Sequence, residues 1–299
     1  MPHSGRPMRV GLQLPSFTFP GGPAAIRPTL TEIAQRAEAN GFASLWVMDH
    51  LFQLPEDTGL GGPEQPMLEA YTTLGFLAQA TERIALGPMV GNVVLRSPGL
   101  LVKAATTLDV LAGDRATYFA VGAGWYERES TGLGLPWPRR AERFEHLEET
   151  LRIARAMFGG DRSPIEGRHH RLAEPINVPP PLARPRIMVG GGGERKTLRL
   201  VAEYADACNI LVPDPGESRH KLDVLARHCE AIGRDIAEIE TTSLLEADLR
   251  PGRQAPTDVI AALRAQADEG IEHVIVNLPD AHLPERLETF GREIIPAVA

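Results

Sequence analysis

Asp49 and His50 close a strongly apolar run, Gly41-Phe42-Ala43-Ser44-Leu45-Trp46-Val47-Met48. A run of this kind reads as a strand buried on both faces, and it delivers a carboxylate and an imidazole to its carboxyl end. Histidine changes charge near neutral pH, so His50 suits proton donation or orientation, with Asp49 binding a polar ligand edge or tuning its neighbour. The plainer alternative is that Asp49 caps a turn and His50 is solvated. In a barrel of parallel strands the carboxyl ends carry the chemistry, so the choice depends on what the rest of the chain builds.

Three further stretches could hold a ligand. In Val189-Gly190-Gly191-Gly192-Gly193-Glu194-Arg195-Lys196, four glycines open a helix and expose backbone N–H groups at its positive end, a cradle for phosphate. The spacing matches neither a Walker loop nor the dinucleotide fingerprint. A floppy turn is the alternative, but four consecutive glycines cost conformational entropy that a close-approaching ligand would explain. The glycines of Gly87-Pro88-Met89-Val90-Gly91-Asn92 suggest a bulge beside a flat ligand, or else a plain turn. In Val121-Gly122-Ala123-Gly124-Trp125-Tyr126-Glu127 small residues would admit a ring, and Trp125 would wall a substrate pocket or merely cover the core.

Other conspicuous residues read as bland. Cys208 and Cys229 lack a Cys-x-x-Cys partner, so buried filler in a reducing cytoplasm is expected. His169-His170 has no Glu or Cys at metal spacing, and no metal is expected. Glu145, Glu148 and Glu149 read as the wet face of a helix, and Trp46 as core.

The bulk properties narrow the class. With 299 residues and 43% hydrophobic content the chain can fill a large core. A net charge of −8 disfavours nucleic acid as a partner. Met1 to Pro7 is short and polar with no signal core, and no apolar stretch approaches the ~20 residues that span a bilayer. No membrane partner is expected, and the protein is read as cytoplasmic.

Strand-like and helical runs alternate. Strands are expected at Arg9–Leu14, Phe42–Met48, Ile84–Val90, Ala116–Val121, Arg186–Val189, Ala207–Val212, Ile239–Leu245 and His273–Leu278. Helices are expected at Thr29–Asn40 (Thr29 or Thr31 as cap, Gly41 as stop), Leu68–Glu82, Pro98–Leu111 (capped by Ser97), Ala141–Phe158, Glu194–Tyr204, Glu217–Ile232, Thr257–Glu269 and Pro284–Ile295. Eight strands and eight helices in alternation are the sequence image of a (β/α)8 TIM barrel. It is read as one domain over 1–299: a first half 8–158, a polar, Pro-rich insertion 159–185 after the fourth βα unit, and a second half 186–299. A doubly wound open sheet is the rival fold.

These stretches together resemble the luciferase-like monooxygenase superfamily of flavin and deazaflavin enzymes. The resemblance is carried by W-V-M-D-H-L-F (46–52), M-L-E-A-Y-T-T-L-G (67–75), E-R-I-A-L-G (82–87), K-A-A-T-T-L-D-V-L-A-G-D-R (103–115), G-A-G-W-Y-E-R-E (122–129), E-R-F-E-H-L-E-E-T-L (142–151) and I-M-V-G-G-G-G-E-R-K-T-L-R-L-V-A-E-Y-A-D-A (187–207). Within it the chain looks like the branch that uses coenzyme F420, an 8-hydroxy-5-deazaflavin. The resemblance implies a hydride-transferring oxidoreductase with His50 in proton transfer and Asp49 helping to bind the cofactor. It also implies a non-prolyl cis peptide in the bulge at Met89-Val90, with Gly91 and Asn92 beside it. The Gly190–Gly193 loop and Glu194 would take the cofactor phosphate, and Trp125 and Tyr126 would line the substrate pocket. Members are commonly homodimers. Two stretches depart from the family pattern: Gly91-Asn92-Val93-Val94-Leu95, where relatives usually carry a Thr-containing stretch, and the bulky strand Thr117–Val121. The alternatives are an FMN-dependent monooxygenase on the same fold and a non-catalytic cofactor-binding barrel; an aldolase or isomerase is remoter, with no strand-end Lys for a Schiff base. The small-molecule substrate is left open, because loops such as 53–65 build its pocket.

Overall fold

The apolar runs pair in parallel and close on themselves. A computed structural model describes residues 7–211 and 216–299. Its main strands are β1 (Arg9–Leu14), β2 (Ser44–Val47), β3 (Ala85–Pro88), β4 (Gly91–Asn92) and β5 (Tyr118–Gly122), and after an insertion β8 (Arg186–Gly190), β9 (Ala207–Ile210), β10 (Glu240–Glu246) and β11 (His273–Asn277). They run in the order β3-β2-β1-β11-β10-β9-β8-β5-β4, and a parallel bridge from Leu86 to Thr117 joins the ends. Nine segments, of which β3 and β4 are halves of one strand interrupted at Met89-Val90, give eight staves. The (β/α)8 reading holds.

Helices α1 (Pro23–Ala39), α2 (Ala70–Ala80), α3 (Pro98–Ala112), α4 (Glu127–Gly132), α5 (Arg140–Phe158), α6 (Thr197–Tyr204), α7 (Glu217–Ala231), α8 (Pro256–Glu269) and α9 (Pro284–Thr289) surround the sheet. The differences from the expected boundaries have local causes. α1 starts at Pro23, not Thr29, because proline at the first helical position is preorganised there; Thr31 Oγ1 bonds back to Arg27 O instead of capping. Ser97 precedes α3 but makes no capping bond, whereas Glu69 caps α2 by accepting from Thr72 N at 2.7 Å. The third expected strand is broken at Met89-Val90, and β9 ends at Ile210; Val212, its expected last residue, lies outside the described residues. Arg115 donates to Ala78 O and Ala112 O, satisfying carbonyls at the ends of α2 and α3, and Arg234 does the same for α6 through Ala202 O and Ala205 O.

Between α5 and β8, segment 159–185 carries a hairpin, β6 (Ile165–Glu166) with β7 (Arg171–Leu172). Buried Asp109 pins its exit by accepting from Leu182 N (2.6 Å) and Ala183 N (3.2 Å). Glu145 and Glu149 were expected to be merely solvated. Instead Glu149 accepts from the backbone of Arg168, His169 and His170, Glu145 meets His169 Nε2 at 2.6 Å, and His146 Nδ1 meets His170 Nε2 at 2.8 Å. Glu148 is paired with Arg199 at 2.7 Å. These groups clamp the insertion to α5.

Alternation along each strand separates two cores. Residues such as Val10, Leu12, Leu45 and Val47 pack outward beneath the helices, while Trp46, Met89, Tyr118, Ala120, Met188, Ala207 and Ile275 fill the barrel. Cys208 and Cys229 are buried and free, and burial pushes the Cys208 thiol up to about 12.

Below Trp46, at the amino ends of the strands, lies a buried polar network. Glu240 accepts from Tyr118 OH and from Arg9 (2.6 Å), pairs with Arg186 (2.9 Å), and meets His273 Nδ1 at 2.8 Å. His273 Nε2 meets Ser44 Oγ at 2.8 Å, and Ser44 accepts from Trp46 Nε1. The Glu240 carboxylate can only accept, so His273 Nδ1 carries the proton between them, and in the neutral imidazole Nε2 then accepts from Ser44 Oγ. Burial lowers the His273 value, consistent with that state. Burial would raise the Glu240 carboxyl, but the hydrogen bond from His273 and the guanidinium groups of Arg186 and Arg9 outweigh it and hold it at about 2. A depressed carboxylate stabilises the fold above its unfolded value near 4.5, and this contribution is lost as pH falls towards 2. The expected result is an acid limb worth about 2 kcal/mol in melts between pH 6 and pH 3, and a markedly flatter limb in Glu240→Gln. Equal slopes in the two proteins would rule out this assignment.

Candidate active site

Strand parity separates the Asp-His pair. Trp46 faces the barrel interior, so His50, an even number of residues on, also turns to the mouth, while Asp49 turns outward between the sheet and its helices. Asp49 is buried and wholly engaged: it accepts from Arg96 at 2.7 and 2.8 Å in a bidentate pair and from Asn92 N at 3.1 Å. Arg96 also reaches Glu69 at 2.5 Å, so one guanidinium ties β2, β4 and the cap of α2 together. The sequence suggests that Asp49 binds a ligand edge or tunes its neighbour. Its geometry is that of an internal brace.

His50 stands at the mouth with Nδ1 3.0 Å from Glu129 Oε1. Glu129 is fully buried, and its other oxygen accepts from Leu51 N at 2.7 Å and Phe52 N at 3.4 Å. The carboxylate fixes the ring from behind and leaves Nε2 as the nitrogen for an incoming group. α4, absent from the sequence reading, supplies this residue. The only sequence signal was an acidic residue inside the glycine-led stretch 122–129. Trp125, largely exposed, sets its ring edge-on to His50 with centroids 5.5 Å apart, and stacks on Tyr126 at 5.3 Å. Trp125 therefore faces open space beside His50. Tyr126 is buried, donates to Gln53 O and backs the imidazole instead of lining the opening.

Met89-Val90 is a cis peptide, as the resemblance implied. Val90 projects between two glycines: a Cβ on Gly190 or Gly122 would lie 2.9 or 3.1 Å from its methyl groups. A Cβ on Gly124 would strike Asn92 at 2.4 Å, and one on Gly91 would meet Ala120 O at 2.9 Å. Gly91 and Asn92 thus anchor the bulge from within the sheet, and the Met89-Val90 step forms the apolar wall of the mouth.

Across from His50, Gly190 ends β8 and Gly191 adopts φ +116, a conformation that favours glycine. Gly191 N donates to Asn209 O, whereas the N–H groups of Gly192 and Gly193 have no partner among the described residues. That is the chemistry of an anion cradle. The helix behind it starts at Thr197, not Glu194. Glu194 does not point its carboxylate to the cradle: it pairs with Lys221 at 2.7 Å and His220 at 3.1 Å, and these contacts hold its carboxyl below the usual range. Glu194 is an anchor to α7, as a second carboxylate beside a bound phosphate would repel it. Lys221 Cε lies 3.7 Å from where a Cβ on Gly192 would sit, so the cradle has a cation at its side.

Comparison with known proteins identifies the family and the fold. A profile of the luciferase-like monooxygenase family matches residues 8–293. The chain is 27% identical over 275 residues to an F420-dependent glucose-6-phosphate dehydrogenase of Nakamurella multipartita, covering 89% of this chain and 76% of that one. A protein of the same description from Kineococcus radiotolerans is 24% identical, covering 98% and 97%. Among solved structures, an F420-dependent secondary alcohol dehydrogenase in complex with an F420-acetone adduct superposes with a TM-score of 0.80 at 19% identity, covering 98% of this chain and 100% of that one. The EDTA monooxygenase of Chelativorans sp. BNC1 gives 0.79 at 15%, covering 98% and 93%. At such identities the structures speak to fold alone. With a family match over nearly its whole length, the chain belongs to the luciferase-like monooxygenase family.

Proposed function

We propose that this protein is an oxidoreductase that moves a hydride between coenzyme F420 and a small organic substrate, with His50 handling the proton. The observation that carries the reading is His50 fixed by buried Glu129 at a mouth that also holds the Met89-Val90 bulge and the Gly190–Gly193 cradle. The F420-dependent names of the relatives found by sequence support it. The residues fit such a group: Val90 between its glycines offers an apolar wall for a flat ring, and the N–H groups of Gly192 and Gly193, with Lys221 beside them, offer a seat for a phosphate. When bound, the deazaflavin supplies a two-electron hydride acceptor or donor.

The protein's own part is positional and protolytic. In alcohol oxidation His50 Nε2 accepts the hydroxyl proton while the carbinol hydrogen leaves with its electron pair, and Glu129 stabilises the resulting imidazolium. In the reverse direction His50 returns that proton to the forming hydroxyl, and Trp125 shields the site from water. The reading includes one barrel domain over 1–299, cytoplasmic and homodimeric, acting on a small molecule with no nucleic-acid or membrane partner. Titration of the purified protein with F420 and with FMN, followed by fluorescence, tests the cofactor. Saturable F420 binding is expected, and tight FMN binding without F420 binding would transfer the assignment to a flavin monooxygenase.

A further inference from the structure

Gln13 and Asn277 lie opposite each other at the carboxyl ends of β1 and β11. Both face the barrel: Gly11, two residues before Gln13, looks inward at Ser44 and His273, and Ile275, two before Asn277, belongs to the interior cluster. Gln13 is 2% exposed, yet Gln13 Oε1 and Asn277 Oδ1 are buried with no hydrogen-bond partner. A buried polar atom left unpaired costs roughly 1–3 kcal/mol, so two on neighbouring staves mark a place where something else is meant to bind.

Charge narrows what that is. The loops after β1 (15–22) and β11 (278–283) contain no Lys or Arg at all, while Asp280 falls within the second. Glu246 stands next to Asn277 in the register. After β10 the two cations Arg250 and Arg253 are both drawn to Asp248, at 2.7 and 3.5 Å. Among the described residues this side of the mouth is therefore rich in acceptors and poor in free positive charge. The opposite side, with Met89, Val90, Gly122 and Gly190, is apolar.

We propose that the Gln13 and Asn277 amides form the substrate subsite of this mouth, and that it takes a neutral molecule presenting hydroxyl or N–H hydrogens besides the hydroxyl that reacts at His50, not a phosphate ester. The inference rests on the oxidoreductase reading for its reaction but not for its site. It separates this chain from the glucose-6-phosphate dehydrogenases it is similar to, whose name specifies a phosphorylated sugar. A phosphate here would meet two amide oxygens and Glu246. A neutral diol or polyol would satisfy both orphans with hydroxyls beside the one whose proton goes to His50, while its carbons face the apolar wall.

The test is a Gln13→Met/Asn277→Leu variant compared with the unaltered protein. Because the amide oxygens have no partner in the fold, its Tm should be equal or higher and its F420 affinity unchanged within twofold. F420 reduction should favour neutral polyols such as 1,2-propanediol and glucose over glucose 6-phosphate by tenfold or more in kcat/KM, and the variant should raise KM for these neutral alcohols about tenfold with kcat less affected. A fall in Tm of more than about 5 °C would show that the amides are bonded within the fold and overturns the proposal. So does a kcat/KM for glucose 6-phosphate at or above that for the neutral alcohols. If F420 fails to bind the unaltered protein, the cofactor reading falls, and the melting comparison alone decides the amide site.

Discussion

His50→Ala should lower kcat by about 10²–10⁴-fold while leaving the Kd for F420 within a few fold, the range that a positioned acid–base group supplies. The imidazole is held by one hydrogen bond, Nδ1 to Glu129 Oε1 at 3.0 Å, and by the rings of Trp125 and Tyr126, and no part of the apolar bulge or glycine cradle depends on it. Proton transfer and cofactor binding should therefore separate cleanly. Steady-state turnover with fluorescence titration of each protein provides the check. Unchanged kcat would remove His50 from the reaction, and a parallel loss of F420 affinity would make it a binding residue. Glu129→Gln should reduce kcat less and alter its pH profile, since the amide can still orient the ring but cannot stabilise its charged form.

Arg96→Leu should cost about 3–5 kcal/mol of stability, because it strands a buried carboxylate. Asp49 has no exposed side-chain surface, and Arg96 provides two of its hydrogen bonds; Asn92 N provides another. Losing the guanidinium also frees Glu69 at the start of α2 and loosens β4. Urea titration measures the loss, and F420 affinity should weaken with it as the wall beside Val90 shifts. The Asp49→Asn/Arg96→Leu double variant should lose less than the two single variants added, because the residues form one unit. A loss below ~1 kcal/mol in Arg96→Leu would mean that solvent reaches Asp49 and that the brace is dispensable.

Much of this architecture is legible in the sequence. The apolar runs and amphipathic stretches follow periods that backbone geometry imposes, and a strict alternation of the two at this length leaves a closed parallel barrel as the natural solution. Misjudged ends have local causes: proline at position 23 starts α1 early, and the four-glycine loop delays α6 to Thr197. The segment 194–196 keeps helical composition but turns instead, and Glu194 pairs with Lys221 and His220.

What the chain determined by itself was therefore the barrel, the delivery of polar residues to its mouth, the glycine cradle and the bulge. Each is set by residues close in sequence, through propensity, parity and steric size. Tertiary structure alone decided which neighbour does what. Asp49 and His50 are adjacent, yet strand geometry sends one to a buried brace and the other to the opening. Glu129, 79 residues from His50, and Arg96, 47 from Asp49, become their partners only once the barrel closes. The same closure brings Gln13 and Asn277 together from opposite ends of the chain and leaves both oxygens unanswered. Local pattern can name the groups that arrive at a site. Only folding decides which are already paired there and which stay free to bind.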